Sequence, residues 1–303
     1  MTPGLRAGVH CVAATPFLPD ESLDERSVAT LLDYLSAAGC QGALLLGVLG
    51  EADRLSDGER DRVIRTALDH AGDRLQISVA VTHNATTVAT QRAREAERAG
   101  AAAVMLAPPP ASTADERLRA HFQRVASDLQ IPVIIQDHPS SSGVKLSTAF
   151  IVSLLEQLPP GSAVKLEDPP TPEKIRRLRA LQPGAPIFGG LGGVTLYHEL
   201  VAGAAGTMTG FAAVEYLVGI VAAFQAGDRD LAYQRYAAAL PLMVFEAQPG
   251  IGLALRKEIL RRRGVLAHAV LRQPAPTPDA SSLATLDEVL ARLPARLTEG
   301  APA

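Results

Sequence analysis

Lys165 and Glu167 stand two residues apart in an otherwise apolar run, SAVKLE (162–167). On a β-strand that spacing puts Ala163, Lys165 and Glu167 on one face and Val164 and Leu166 on the other. An amine and a carboxylate sharing a face have two explanations. The lysine is either a salt-bridged structural ammonium, or an amine kept partly neutral so that it attacks a carbonyl and forms a Schiff base. Lysine is scarce here: of 29 basic residues only Lys145, Lys165, Lys174 and Lys257 are not arginine. Arginine cannot shed its proton and so cannot serve as this nucleophile. A lysine kept where arginine otherwise serves therefore tilts the choice toward the nucleophile. Lys145 in a loop, Lys174 on a helix and Lys257 in a basic run read as surface charges. Glu167 is then either a general base or the partner that holds the ammonium in place.

A second stretch, VIIQDHPSSSG (133–143), begins as a buried strand and turns polar at Gln136, Asp137 and His138. A glutamine amide orients a hydroxyl by hydrogen bonding but exchanges no proton with it. A histidine, with its pKa near ~6.5, can protonate a leaving hydroxyl or simply cap the turn. His138 shares the face of Gln136 if extended geometry persists up to Pro139. The glycine run FGGLGG (188–193) fits a phosphate-binding turn or a place where backbone approaches a ligand closely, and the second reading is preferred. No His, Asp and Glu cluster has metal-ligand spacing, so neither a metal-dependent mechanism nor any cofactor is expected.

The elements that must position these groups alternate short apolar runs with longer amphipathic ones, the pattern of repeated β-α units. The strand candidates are HCVAATPF (10–17), GALLLG (42–47), QISVAVT (76–82), AAVMLAP (102–108), PVIIQD (132–137), SAVKLE (162–167), APIFGG (185–190) and AGTMTG (205–210). Helix patterns such as ERSVATLLDYLSAAG (25–39), DGERDRVIRTALDHAG (57–72) and ATTVATQRAREAERAG (85–100) lie between them, each closing on Gly. Eight such units describe an α/β (β/α)8 TIM barrel over residues 1–226, with chemistry at the C-terminal ends of the strands. From 227 to 303 the chain reads as a helical extension packed on that barrel. Its basic helix, with Arg256, Lys257, Arg261, Arg262 and Arg263, reads as a solvated face or a subunit contact.

Bulk properties agree with a small-molecule protein. The 303 residues are 47% hydrophobic and 20% charged, with a net charge of −3. That leaves no basic field for nucleic acid or an anionic membrane surface, so neither is an expected partner. Cys11 and Cys40 have no C-x-x-C spacing and read as buried thiols. The start, MTPGLRAGVH, has no leader pattern, and a cytoplasmic location is the expectation.

The ordered set of TPF (Thr15 to Phe17), GVLGE (Gly47 to Glu51), the QDHPSSSG turn and Lys165 resembles the dihydrodipicolinate synthase and N-acetylneuraminate lyase family over about residues 7–265. The resemblance implies a barrel with a helical appendix and a homo-oligomer, usually a tetramer, alternatively a dimer. It also implies a class I mechanism in which Lys165 forms an imine with a 2-keto acid. Substrate contacts would come from Gly47, Val48, Leu49 and Gly50 after the second strand. Gly190 would let backbone approach the keto acid, and His83 and Thr209 would contact the substrate.

The departures from the family matter. Where it has G-T-T-G-E or G-S-T-G-E, with hydroxyls that hold the keto-acid carboxylate and pass protons, this chain has Val48 and Leu49. Pro109 and Pro110 replace a tyrosine pair, Gln136 replaces the tyrosine that ends the fifth strand, and Ser141 replaces an arginine. Lysine-biosynthetic activity is therefore not expected. Gln136 with Asp137, Leu49, Glu167 two residues after Lys165, His83 and the segment Met208 to Gly210 resemble the 2-keto-3-deoxy-L-arabonate dehydratase branch. An aldolase needs a group such as a tyrosine phenol, pKa ~10, to take the proton of the 4-hydroxyl. Dehydration needs only a base beside the imine and an acid for the leaving hydroxyl, roles open to Glu167 and His138. The expectation is a dehydratase of a 2-keto-3-deoxy sugar acid. A retro-aldolase and a non-catalytic 2-keto-acid-binding relative are the alternatives.

Overall fold

A computed structural model describes residues 4–110 and 112–294. Eight strands, β1 (Gly8–Val12), β2 (Gly42–Leu45), β3 (Gln76–Ala80), β4 (Ala103–Leu106), β5 (Val133–Asp137), β6 (Ala163–Leu166), β7 (Ile187–Gly189) and β8 (Gly206–Thr209), pair in parallel and in order. β8 pairs with β1, which closes the barrel.

The strands are short because the backbone leaves the ladder where the rim begins. The run predicted from His10 to Phe17 is strand only to Val12, and Thr15 beyond it donates its hydroxyl to the Gly50 carbonyl at 2.6 Å. Pro16 has no N–H with which to continue pairing. The turn expected after His138 is a helical one, Pro139–Ser142, with proline at its first position and Gly143 left-handed at its end (φ 73°).

The surrounding helices follow their sequence signals. Glu25–Ala37 is capped by Asp24 and buries Val28, Leu31, Leu32 and Leu35, one stripe at helical spacing. Each such side chain contributes roughly 1.5–3 kcal/mol by leaving water. Asp57–Ala71 opens with a reciprocal capping box between Ser56 and Glu59.

Inside the barrel, Val12, Leu44, Ala80, Met105, Ile134, Ala163, Phe188 and Met208 form an apolar floor. The next inward positions on β5 and β6 are Gln136 and Lys165, which are register partners, and Lys165 also faces Phe188. Polar side chains thus begin where the apolar filling stops.

After the last barrel helix, Val214–Gln225, come Arg229–Glu246, Gly252–Arg262 and Ala280–Ala291. Residues 295–303, also read as part of the extension, lie outside the described residues. The basic run splits by face. Arg261, Arg262 and Arg263 pair with Glu258, Asp287 and Glu215 toward solvent. Arg256 and Lys257, by contrast, are buried, which corrects the reading of a wholly solvated face. Their side of the helix lies on the barrel rim, a non-local contact that local charge pattern does not encode. Lys257 donates to Glu51 Oε1 at 2.6 Å and to the Val270 carbonyl at 2.8 Å, and lies 4.5 Å from the Phe17 ring centroid. Lys174 is likewise no free surface charge. It bridges Asp137 at 2.5 Å and Asp168 at 3.0 Å and donates to the Leu146 carbonyl. Cys11 and Cys40 are buried free thiols. Among the described residues no helix is long and apolar enough to cross a membrane.

Candidate active site

Lys165 Nζ lies 3.0 Å from Glu167 Oε2, and the Gln136 amide donates to the same oxygen at 2.8 Å. The other carboxylate oxygen accepts from the Leu191 N–H at 3.4 Å. Glu167 is held as though it continued β6, because its own N–H donates to the Asp137 carbonyl at 2.8 Å. Gly190 allows the close fit, since a Cβ there would collide with the Glu167 carboxylate. Burial pushes the Glu167 pKa up. The Lys165 ammonium, His138 and the Gln136 hydrogen bond outweigh burial and hold it below the ordinary range. Glu167 is a carboxylate at neutral pH.

His138 follows β5 and meets Ser140 Oγ at 2.7 Å through Nε2. Its buried Nδ1 has no partner among the described residues. Burial lowers its pKa, so the neutral ring predominates at neutral pH.

These groups face a cavity of about 700 Å³ at the C-terminal ends of the strands. Lys165, Glu167, Gln136 and His138 line its barrel side, and Gln248, Leu253 and Arg256 line it from the extension. Gly47, Val48 and Leu49 also line it, as does Thr209, which accepts from the Gly192 N–H at 2.8 Å. Gly50 is buried behind the rim and meets Thr15 instead, and Gly190 sits behind Leu191 against Glu167. His83 faces an adjoining cavity of about 540 Å³ that shares Gly47, Val48 and Gln136 with the first. No tyrosine among the described residues lines either cavity. The hydroxyls of Tyr34, Tyr216 and Tyr236 donate to the carbonyls of Ala212, Pro294 and Val194.

Sequence reading missed three groups here. Arg256 was hidden in a basic run, and Thr195, which lines the cavity, carried no motif. Thr195 donates to Glu199 Oε1 at 2.8 Å and Thr171 donates to the same oxygen at 2.6 Å. Glu199 is fully buried, and that burial pushes its pKa up to about 7. Only an acidic residue inside a helix marked it beforehand. Among the described residues no group of three or more His, Cys, Asp or Glu side chains is placed to hold a metal ion.

The Dihydrodipicolinate synthetase family model matches residues 6–293. The chain belongs to this family. Within it, the chain is 32% identical to L-2-keto-3-deoxyarabonate dehydratase of Azospirillum brasilense over 94% of both proteins. It is 31% identical to 4-hydroxy-tetrahydrodipicolinate synthase of Chlorobium limicola, but there the match spans about half of each protein, 54% of this chain and 56% of the synthase. Among solved structures, a dihydrodipicolinate synthase from Rhodopseudomonas palustris superposes with a TM-score of 0.90 at 34% identity, covering 95% of this chain and 97% of that one. The family is one of Schiff-base lyases.

Proposed function

We propose that this protein dehydrates a 2-keto-3-deoxy sugar acid, of the 2-keto-3-deoxy-L-arabonate kind, through an imine on Lys165. The observation that carries the reading is the shared Glu167 oxygen, 3.0 Å from Lys165 Nζ and 2.8 Å from the Gln136 amide, in a cavity with no phenol. The full-length likeness to the Azospirillum dehydratase supports it.

In this mechanism Lys165 first gives up a proton to solvent in the open cavity, its amine adds to C2, and water leaves to give the imine. Glu167, ionised and beside the nitrogen, takes a proton from C3 and leaves an enamine. The neutral His138 ring takes up that proton at one nitrogen and gives one from the other to the departing 4-hydroxyl, which leaves as water, and the Gln136 amide orients the reacting carboxylate without exchanging a proton. For a five-carbon substrate the new C3–C4 double bond shifts to C4–C5, an enol that becomes the aldehyde, and water hydrolyses the imine to restore the C2 ketone and free Lys165. Gly47, Val48, Leu49 and Thr209 wall the substrate, with Gly190 giving room for Glu167. His83 and Gly50 stand outside this wall and have no direct role in the scheme.

Incubation with 2-keto-3-deoxy-L-arabonate should yield 2-ketoglutarate semialdehyde, with a borohydride-stable adduct on Lys165 that Lys165→Arg abolishes. Pyruvate release would instead establish retro-aldol cleavage. An adduct without turnover of any keto-deoxy acid would leave only a binding protein. A homo-oligomer, tetramer or dimer, in the cytoplasm belongs to the same reading, and sedimentation velocity checks the assembly.

A further inference from the structure

Among the described residues Arg256 is the one guanidinium that reaches the large cavity, and its donors are only partly used. It is 5% exposed, and its Nε donates to the buried Glu246. Glu246 also accepts the Ala212 N–H, at 3.0 and 3.2 Å, which fixes the pair against the loop after β8. Neither Nη group of Arg256 donates to any described residue, and Nη1 is buried without a partner. Buried donors of a charged group left unfilled are costly, so a site that keeps them is built for an acceptor that arrives with a ligand.

The position of the guanidinium indicates which acceptor. A Cβ on Gly210 would collide with Arg256 Nη1 and sit 3.0 Å from Leu49 Cδ1. The guanidinium therefore packs beside the GVLG turn, on the wall where Val48 and Leu49 have replaced a pair of hydroxyls. Those hydroxyls are the groups whose loss leaves a keto-acid carboxylate short of side-chain donors. A planar fork of N–H groups matches a carboxylate better than two hydroxyls do.

We propose that Arg256 holds the carboxylate next to the carbonyl of the 2-keto acid, in place of the missing hydroxyls of the turn. The inference rests on the reading of this cavity as a 2-keto-acid site. Because Glu246 balances the charge of Arg256, the attraction comes from directed Nη hydrogen bonds rather than from a free positive charge. It follows that the extension, and not only the barrel, supplies substrate recognition.

Calorimetric binding of pyruvate tests this. The variant is Arg256→Leu combined with Glu246→Gln, which leaves no unpaired buried charge and keeps an acceptor for the Ala212 N–H. Pyruvate should bind roughly tenfold or more weakly, the range of a lost charge-assisted hydrogen bond. Hydroxyacetone, a ketone of similar size without the carboxylate, should bind within about twofold of wild type. Unchanged pyruvate affinity overturns the proposal, and so does an equal loss for hydroxyacetone, which marks a structural role. Weakened binding of 2-ketoglutarate alone also overturns it, by placing the guanidinium at the far end of the substrate. Borohydride trapping on Lys165 is read separately. Its absence in a protein whose pyruvate binding still depends on Arg256 would sink the imine reading and leave this one standing.

Discussion

Lys257 and Glu51 lie 206 residues apart and meet in a buried ion pair of 2.6 Å, with side-chain exposures of 0% and 3%. Glu51 ends the GVLGE turn on the barrel rim, and Lys257 is the neighbour of Arg256 on the extension. One contact thus joins the two walls of the cavity. Glu51 also accepts the Arg272 N–H at 3.0 Å, so its carboxylate gathers two parts of the extension.

Breaking that pair from one side should be severe. Lys257→Met takes from the buried Glu51 carboxylate its nearest cation and leaves only Arg54, at 3.6 Å, to offset the charge, with an expected loss of about 3 kcal/mol in urea unfolding. Adding Glu51→Gln should recover much of it, because the stranded charge is removed. A double variant whose loss equals the sum of the two single losses would show that the groups are not coupled.

Glu199 predicts a pH dependence of stability. Its folded pKa is about 7 against an ordinary 4.5, so between those values the native state holds more proton than the unfolded chain. Stability from this group therefore falls as pH rises from 4.5 to 7, and the full cost of about 3 kcal/mol is in place above 7. Glu199→Gln removes that dependence. Relative to wild type it should gain stability between pH 4.5 and pH 8, as read by urea unfolding at each pH, and a constant difference would refute the assignment.

Glu167→Gln separates the two roles of that carboxylate. As the base, its loss should lower kcat by roughly 10²–10⁴-fold while borohydride still traps a keto acid on Lys165. Loss of trapping would instead identify Glu167 as the group that positions the lysine. Because its pKa lies below the ordinary carboxylate range, the acid limb of kcat should also fall below that range.

His138→Gln keeps a hydrogen-bonding side chain beside Ser140 but removes the titratable ring. A drop in kcat of about 10²-fold or more, with trapping unchanged, is expected if the ring acts as the acid. A side chain that only caps the turn would shift the unfolding midpoint and leave kcat where it was.

Much of the candidate site's wall was legible because strands have a period of two. Lys165 and Glu167 had to share a face, and Gln136 had to share the inward face of its neighbour strand. The rest was not legible for a definite reason. A run such as RKEILRRRG gives each cation the same local appearance, whereas Arg256 and Lys257 are set apart by what packs on them from residues 46 to 206 positions away. His83 follows β3 and Gln136 lies on β5; both line the smaller cavity, but only the rim loops decide that Gln136 also reaches the larger one and His83 does not.

The sequence by itself determined the eight β-α units, the inward lysine and carboxylate, and the absence of a phenol where Gln136 stands, because these depend on residue type and local periodicity. Only the tertiary structure decided that Glu167 is shared between Lys165 and Gln136, and that Glu199 is dry enough to titrate near 7. It alone also decided that Arg256 of the extension reaches the cavity with unfilled donors, because burial and partnership depend on residues far apart in the chain.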